Sequence, residues 1–157
     1  MLPDRPELFA AHRVAAGRGA EEARQALTEV FLPVDFPSAR TSGTVEMTLN
    51  ALEVGRVTCG FMQFGDEVSI ETAEAENYHL DIPVSGRAVM RAGGQPEIHA
   101  TTSTAGVFTP GRPVRLDCGP WFSQLSVMIP APTSNSNWSA SSTANRPAPS
   151  STPANWI

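Results

Sequence analysis

The chain has 157 residues, of which 41% are hydrophobic, enough for one ordinary core and too few for two domains of normal size. Its formal net charge of -5 argues against nucleic-acid binding, because a surface that follows phosphates needs clustered basic side chains. The sequence contains neither an N-terminal signal peptide nor a run of roughly 18 apolar residues that could span a membrane. A cytoplasmic location is therefore predicted.

Residues 1–43 are predicted to form a leader with one amphipathic helix at residues 20–32. This segment is rich in helix formers and lies between Gly19 and Pro33, which mark its limits. Its apolar residues recur at helical spacing and form one stripe: Ala23, Ala26, Leu27, Val30 and Phe31. We expect the helix to pack on the β domain that follows, although a helix that binds a partner is also possible.

Residues 44–130 are predicted to form the β domain. Residues 45–54 alternate apolar and polar side chains, and a second β-rich run follows at residues 55–64. The turn at residues 65–66 leads into a further alternating run, and a final apolar strand is predicted at residues 121–130. About eight short strands at this spacing favour an antiparallel barrel, because closure removes exposed strand edges.

The segment from Glu76 to Leu116 carries the clearest alternation. Four apolar residues occupy every second position and should share one face, which we predict to be the interior: Tyr78, Leu80, Ile82 and Val84. Glycines at turn-compatible spacing, such as Gly86 and Gly111, then divide the segment into strands. The pattern is typical of a meander of strands.

Residues 131–157 differ in composition from the rest of the chain. Twenty-three of these twenty-seven residues are Ala, Pro, Ser, Thr or Asn, a composition that predicts a disordered tail. All eleven basic residues are Arg, which is typical of a GC-rich gene. With G or C assumed at third codon positions, the codons of Ala131 to Arg146 read one base earlier would encode a charged, leucine-containing helix. We therefore hypothesise a frameshift near Pro130, which an early stop codon in the shifted frame would contradict.

A metal site is the catalytic alternative, because His79 and Asp81 are two residues apart and share one face of a strand. A stand-alone metalloenzyme would need His99 as the third ligand. However, if the apolar residues of this strand face the interior, His79 and Asp81 face the solvent. We therefore predict no metal, no cofactor and no catalysis.

Several of these segments together resemble the N-terminal regulatory domain of AraC/XylS-type transcription regulators, most closely the AraC-binding-like subgroup. The resemblance includes the helix at residues 20–32, the closing strand QLSVMIP and the Pro110-Gly111 turn. It also includes a spaced pattern in the alternating segment: Tyr78, Leu80, Ile82, Pro83 and Gly86. It implies a cupin-like barrel that senses a small effector or mediates dimerisation.

In that family a C-terminal pair of helix-turn-helix motifs binds DNA. No such helical segment follows the barrel in this sequence, so we expect a regulator truncated before its DNA-binding domain. The chain alone should not bind an operator specifically. The partners expected are a small-molecule effector and a second copy of the chain, and a barrel that only dimerises is a further alternative.

A small-molecule pocket is mostly apolar with a few oriented polar groups. The barrel offers apolar candidates for such a lining: Met62, Tyr78, Met90, Phe108, Trp121 and Phe122. Arg115 and Gln124 are the candidate polar anchors. Small barrels are usually filled by their own side chains, so the same residues could instead form the core.

Overall fold

The computed structural model describes residues 5–39 and 43–132, and within them it contains eleven β-strands, one α-helix and two short 3-10 helices. The helix is α1 (Ala20–Val30), and the 3-10 helices span Ala10–His12 and Pro37–Ala39. The strands are β1 (Arg13–Gly19), β2 (Val34–Asp35), β3 (Thr44–Val54), β4 (Val57–Phe64), β5 (Val68–Thr72), β6 (Asn77–Ser85), β7 (Ala88–Ala92), β8 (Ile98–Ala100), β9 (Gly106–Phe108), β10 (Val114–Cys118) and β11 (Ser123–Pro130). The strands predicted from alternation are thereby confirmed with small shifts at their ends.

The strands form two antiparallel sheets that share one core. The six-stranded sheet has the order β1-β3-β4-β11-β6-β9, and the five-stranded sheet has the order β2-β5-β10-β7-β8. Buried side chains from both sheets, such as Phe64, Ile70, Met90 and Leu116, belong to the same hydrophobic cluster. The mainly β fold predicted from the sequence is therefore confirmed, and its interior lies between two facing sheets.

Helix α1 packs on β1 and β3 and closes one side of this interior. Its predicted apolar stripe is confirmed, because Ala23, Ala26 and Leu27 are buried against the core. The helix ends at Val30, two residues earlier than predicted, where the Phe31 N–H donates to the Leu27 carbonyl at 2.9 Å. Phe31 then turns its ring onto the six-stranded sheet.

A glycine in β4 makes room for that ring. A Cβ placed on Gly60 would lie 2.2 Å from Cζ of Phe31, far inside van der Waals contact. The ring therefore lies directly over the backbone of the strand. This contact joins the end of α1 to the sheet interior.

The side of β6 that faces the core is the opposite of the side predicted. Asp81 and Pro83 are buried, whereas Tyr78 is 38% exposed and Ile82 is also exposed. Alternation shows that two sets of residues face opposite ways but does not show which set faces inward. The prediction that the apolar set of β6 lines the interior is therefore wrong.

Apolar partners on the neighbouring strands explain this orientation. In the register of β6 with β11, Tyr78 pairs with Ile129, and Ile82 pairs with Leu125, so cross-strand apolar contacts form on the outside. The outer apolar face, as we call it, consists of Tyr78, Leu80, Ile82, Val107, Leu125, Val127 and Ile129.

Most of the predicted tail lies outside the described residues, since the description ends at residue 132. The disorder predicted for residues 131–157 therefore stays a prediction, as do the boundary at residue 130 and the frameshift. Among the described residues, no helix is long and apolar enough to cross a membrane.

Candidate functional site

A cavity of about 40 Å³ lies between the two sheets, beside the end of α1. Side chains from six strands and from the helix region line it: Leu27, Phe31, Leu32, Val34, Met62, Ile70, Thr72, His79, Asp81, Leu116, Gln124 and Ser126. Most of this lining is apolar. The polar members are concentrated on the two neighbouring strands β6 and β11.

The strand register brings these polar side chains together. His79 and Asp81 are two residues apart on β6, and Gln124 and Ser126 are two residues apart on β11, so each pair faces one side of the sheet. Ser126 stands directly opposite Asp81. The inward face of this part of the sheet therefore presents four polar side chains to the cavity.

Three of the four are joined by hydrogen bonds. The Gln124 amide Nε2 donates to Ser126 Oγ at 2.8 Å, and Ser126 Oγ donates to Asp81 Oδ1 at 2.7 Å. Gln124 Nε2 also lies 3.6 Å from the Met62 sulfur. Because Gln124 is only 2% exposed and Asp81 only 5%, this chain of hydrogen bonds lies almost entirely out of solvent.

Two polar atoms of the cavity have no hydrogen-bond partner among the described residues. They are His79 Nε2 and Gln124 Oε1, and both are buried. A buried polar group without a partner costs about 1–3 kcal/mol, so such atoms are few in stable proteins. Both unpaired atoms belong to this one cavity.

Burial also changes the ionisation of two of these side chains. It raises the pKa of Asp81 to about 6, and the hydrogen bond from Ser126 opposes part of this rise by stabilising the carboxylate. Burial lowers the pKa of His79, so the imidazole is held in its neutral form at neutral pH. The cavity thus contains a neutral imidazole near a carboxylate that is protonated more easily than usual.

The structure brings only two of the predicted ligand-binding residues to the cavity, Met62 and Gln124. Met90, Phe108 and Phe122 are buried in the shared core and do not line it. These three side chains fill the core, in agreement with the alternative prediction that such residues pack the interior.

Three other predicted lining residues lie on the outside of the molecule. Tyr78 belongs to the outer apolar face, and Trp121 is exposed beneath the Arg5 guanidinium, which lies 3.9 Å from the ring centroid. Arg115 is exposed on β10, where it pairs with Glu71 at 2.7 Å and with Asp117 at 3.1 Å. Their predicted roles in the pocket are wrong, because alternation places each on the outer side of its strand or in a loop.

The residues considered for a metal site are divided by the fold. Contrary to the prediction, His79 and Asp81 face the interior, but His99 is 74% exposed on β8 and lies 3.0 Å from Glu97. Within the described residues, no three His, Cys, Asp or Glu side chains are grouped as metal ligands. The grouping of His79, Asp81 and His99 as ligands of one metal is therefore wrong.

Ser126 and the contribution of α1 to the cavity were not predicted from the sequence. Gln124 and Ser126 form a polar pair at alternate positions of an otherwise apolar strand, a signal for a polar inward face. Leu27 and Phe31 were recognised as an apolar stripe, but only the packing of the helix shows that they border the cavity.

The model of the AraC-binding-like domain family matches residues 23–152 of this chain. The match extends past Pro130 and so includes most of the segment predicted to be a tail. No curated protein matches the chain significantly.

Among solved structures, the AraC-like transcriptional activator CuxR is 14% identical, with a TM-score of 0.56 over 75% of this chain and 47% of CuxR. A cupin superfamily protein from Desulfitobacterium hafniense is 19% identical, with a TM-score of 0.49 over 55% of this chain and 79% of its own. A predicted oxalate decarboxylase from Thermotoga maritima is 14% identical, with a TM-score of 0.47 over 62% of this chain and 92% of its own. The likeness to CuxR shows a shared fold, and the predicted mainly β architecture is confirmed.

Proposed function

Since this chain belongs to the AraC-binding-like domain family, we propose that it is the effector-sensing domain of an AraC-type transcription regulator. The effector is a small molecule that binds in the cavity between the sheets. The role is regulatory and not catalytic, and it is exercised in the cytoplasm. Binding shifts an equilibrium between conformations that the rest of the regulator can read.

The observation that carries this proposal is the pair of unpaired polar atoms in a mostly apolar cavity. Ligand sites in proteins combine apolar walls with a few polar groups that fix the orientation of the ligand. His79 Nε2 and Gln124 Oε1 are such groups, and among the described residues they are the buried side-chain atoms without a partner. A ligand that pairs with them would recover the free energy that their burial costs.

The proposal is tested by measuring the thermal stability of the purified chain against a panel of small metabolites. A ligand at about one hundred times its Kd stabilises the folded state by roughly 2.7 kcal/mol, which is easily measured as a rise in Tm. The variant Val34→Phe places a larger side chain at the cavity and should abolish the response. Val54→Phe, at an exposed position far along β3, is the control and should keep it.

A panel that leaves Tm unchanged would count against the sensing role. Metal analysis addresses the enzyme alternative: stoichiometric iron or zinc that is lost in His79→Ala would favour a metalloenzyme and contradict the proposal. The exposure of His99 on β8 separates it from His79 and Asp81, which argues against the three-residue metal site and thereby favours the regulatory role.

Dimerisation is a second candidate function, because the outer apolar face is exposed and none of the residues that define it is charged. Val107 is 63% exposed at its edge, on β9, and Ile82 and Ile129 are also exposed. Contiguous apolar surface of this kind is typical of a site of protein association. A second copy of the chain would bury it through a symmetric contact.

Sedimentation of the variant Val107→Asp tests this candidate. A charge within the outer apolar face should convert a dimer to a monomer, while Val54→Asp, at a similarly exposed position on β3, should leave it dimeric. A wild-type monomer at all concentrations would refute dimerisation and leave effector sensing unaffected.

A further inference from the structure

The hydrogen-bond chain on β6 and β11 fixes which way the Gln124 amide faces. Ser126 has one hydroxyl proton, and it donates this proton to Asp81 Oδ1 at 2.7 Å. Ser126 can then only accept from Gln124, so the NH₂ end of the amide must point toward Ser126, as its 2.8 Å contact indicates. The carbonyl end, Oε1, is left without a donor.

The cavity therefore presents an unpaired acceptor at a fixed position. Gln124 is 2% exposed, so water outside the protein does not reach this oxygen. Rotating the amide would not remove the problem, because it would place two acceptor oxygens, Gln124 Oε1 and Ser126 Oγ, against each other. The group that satisfies Oε1 must come from a molecule inside the cavity.

The second unpaired atom, His79 Nε2, lies in the same lining. A neutral imidazole carries one donor and one acceptor nitrogen, so it can pair with either end of a hydroxyl group. Together with the Asp81 carboxylate, the polar part of the cavity is rich in acceptors. Among the described residues, its lining includes no Lys or Arg side chain.

The remaining lining is apolar apart from Thr72, whose hydroxyl accepts from the Val114 N–H at 3.1 Å, and the space is small. Leu27, Phe31, Val34, Ile70 and Leu116 supply aliphatic and aromatic walls. A cavity of about 40 Å³ has room for roughly three water molecules, which is the size of an ethanol molecule. A polyol would bring more hydroxyl groups than this lining could pair.

We propose that the cavity selects small molecules with an apolar body and one hydroxyl group, whose proton is donated to Gln124 Oε1. This inference rests on the proposed sensing function and specifies its ligand class. Carboxylates and phosphates are disfavoured because the cavity carries acceptors and the Asp81 carboxylate, and no described residue adds a cation to its lining. The apolar body fills the space between the helix and the two sheets.

The test compares four ligands of similar size by calorimetric titration of the purified chain. They are ethanol, acetonitrile, which has no hydrogen-bond donor, acetate, which carries an anionic carboxylate, and ethylamine, which carries an ammonium group. We expect ethanol to bind about tenfold more tightly than acetonitrile, since one hydrogen bond to an otherwise unpaired buried acceptor has that value. Acetate should not bind measurably, and ethylamine should bind more weakly than ethanol because moving its charge from water into a buried site is costly.

A variant tests whether Gln124 causes the preference for a ligand with a hydroxyl group. Gln124→Met has a similar volume and lacks the acceptor, so it should lower the affinity for ethanol about tenfold and leave that for acetonitrile unchanged. Gln63→Met, at a half-buried position on the same sheet, is the matched control and should keep the preference for ethanol. The comparison of ethanol with acetonitrile in the wild-type chain needs no variant and stands even if Gln124→Met does not fold.

Equal affinity for ethanol and acetonitrile, tighter binding of ethylamine or acetate, or an undiminished preference in Gln124→Met would each overturn the ligand class. So would an absence of ethanol binding. The ligand class can fail without the proposed function: a metabolite of another class that binds the wild type and is excluded by Val34→Phe would keep the sensing role and refute only the hydroxyl class.

Discussion

The two ends of the space between the sheets are filled in opposite ways. At the packed end, Phe36, Phe64 and Phe122 are buried, and the rings of Phe36 and Phe64 meet edge to face with centroids 6.5 Å apart. At the cavity end, the same sheets present Asp81, Gln124, Ser126 and His79 to a space that their side chains do not fill. The packed end accounts for stability, and the cavity end departs from good packing in the way expected of a functional site.

The largest effect should come from breaking the packed end. Phe64→Ala removes a fully buried ring from the core and should lower the free energy of unfolding by about 3–5 kcal/mol, because a cavity is left behind. Urea denaturation measures this loss. The exposed substitution Val54→Ala should change it little, and a small effect of Phe64→Ala would show that this end is not the stabilising one.

The next effect is a pH dependence that arises at the cavity end. Because burial raises the pKa of Asp81 from 3.8 to about 6, its contribution to stability is fully present below about pH 4 and is lost as the pH rises through about 6. From about pH 4 to pH 7 the wild type should lose about 2–3 kcal/mol of unfolding free energy relative to Asp81→Asn.

The free energy of unfolding is measured for the wild type and for Asp81→Asn across this pH range. The contributions of other titrating groups cancel in the difference between the two proteins. Asp66→Asn, on an exposed turn, is the control and should follow the wild-type profile. Parallel profiles for the wild type and Asp81→Asn would mean that Asp81 is not buried as described.

A smaller effect is expected where α1 meets the cavity. In Gly60→Ala the new methyl group would lie 2.2 Å from Cζ of Phe31, so the ring must move, at a cost of about 1–2 kcal/mol. Thermal unfolding measures the cost. Gly17→Ala, where the added Cβ meets nothing within 4 Å, is the matched control on another strand of the same sheet.

The smallest effect should come from the polar group at the centre of the cavity. Gln124→Met removes a hydrogen bond to Ser126 and, at the same time, an unpaired buried acceptor. These changes oppose each other, so the free energy of unfolding should stay within about 1 kcal/mol of the wild type. A loss as large as that of Phe64→Ala would remove the distinction between the two ends.

How far the sequence could predict this molecule is seen by comparing β4 with β6. The β-rich composition of residues 55–64 located β4, and the period of alternation located β6, since that period depends only on the extended backbone. The facing of β6 was not predictable from its own residues, because Tyr78 and Ile82 find apolar partners on β11 that only the register reveals.

The site was predicted in part for the same reason. Gln124 and Met62 were recognised from residue type, and both line the cavity. Their grouping with Asp81 and Ser126 depends on strands that are distant in sequence, as does the exposure of Arg115 beside Glu71. Sequence patterns are local, whereas a cavity is formed by contacts between distant segments.

Strand β6 buries a polar face and exposes an apolar one, and this arrangement should affect how the chain folds. A shift of its pairing with β11 by one residue would turn Leu80 and Ile82 inward and Asp81 outward, an arrangement that satisfies hydrophobic burial well. The native register is held by a bulge between Ser123 and Gln124 and by the 2.6 Å contact of the Ser85 and Ser123 hydroxyls. We therefore expect the pairing of β6 with β11 to be the step at which refolding chains divide between productive and misregistered states.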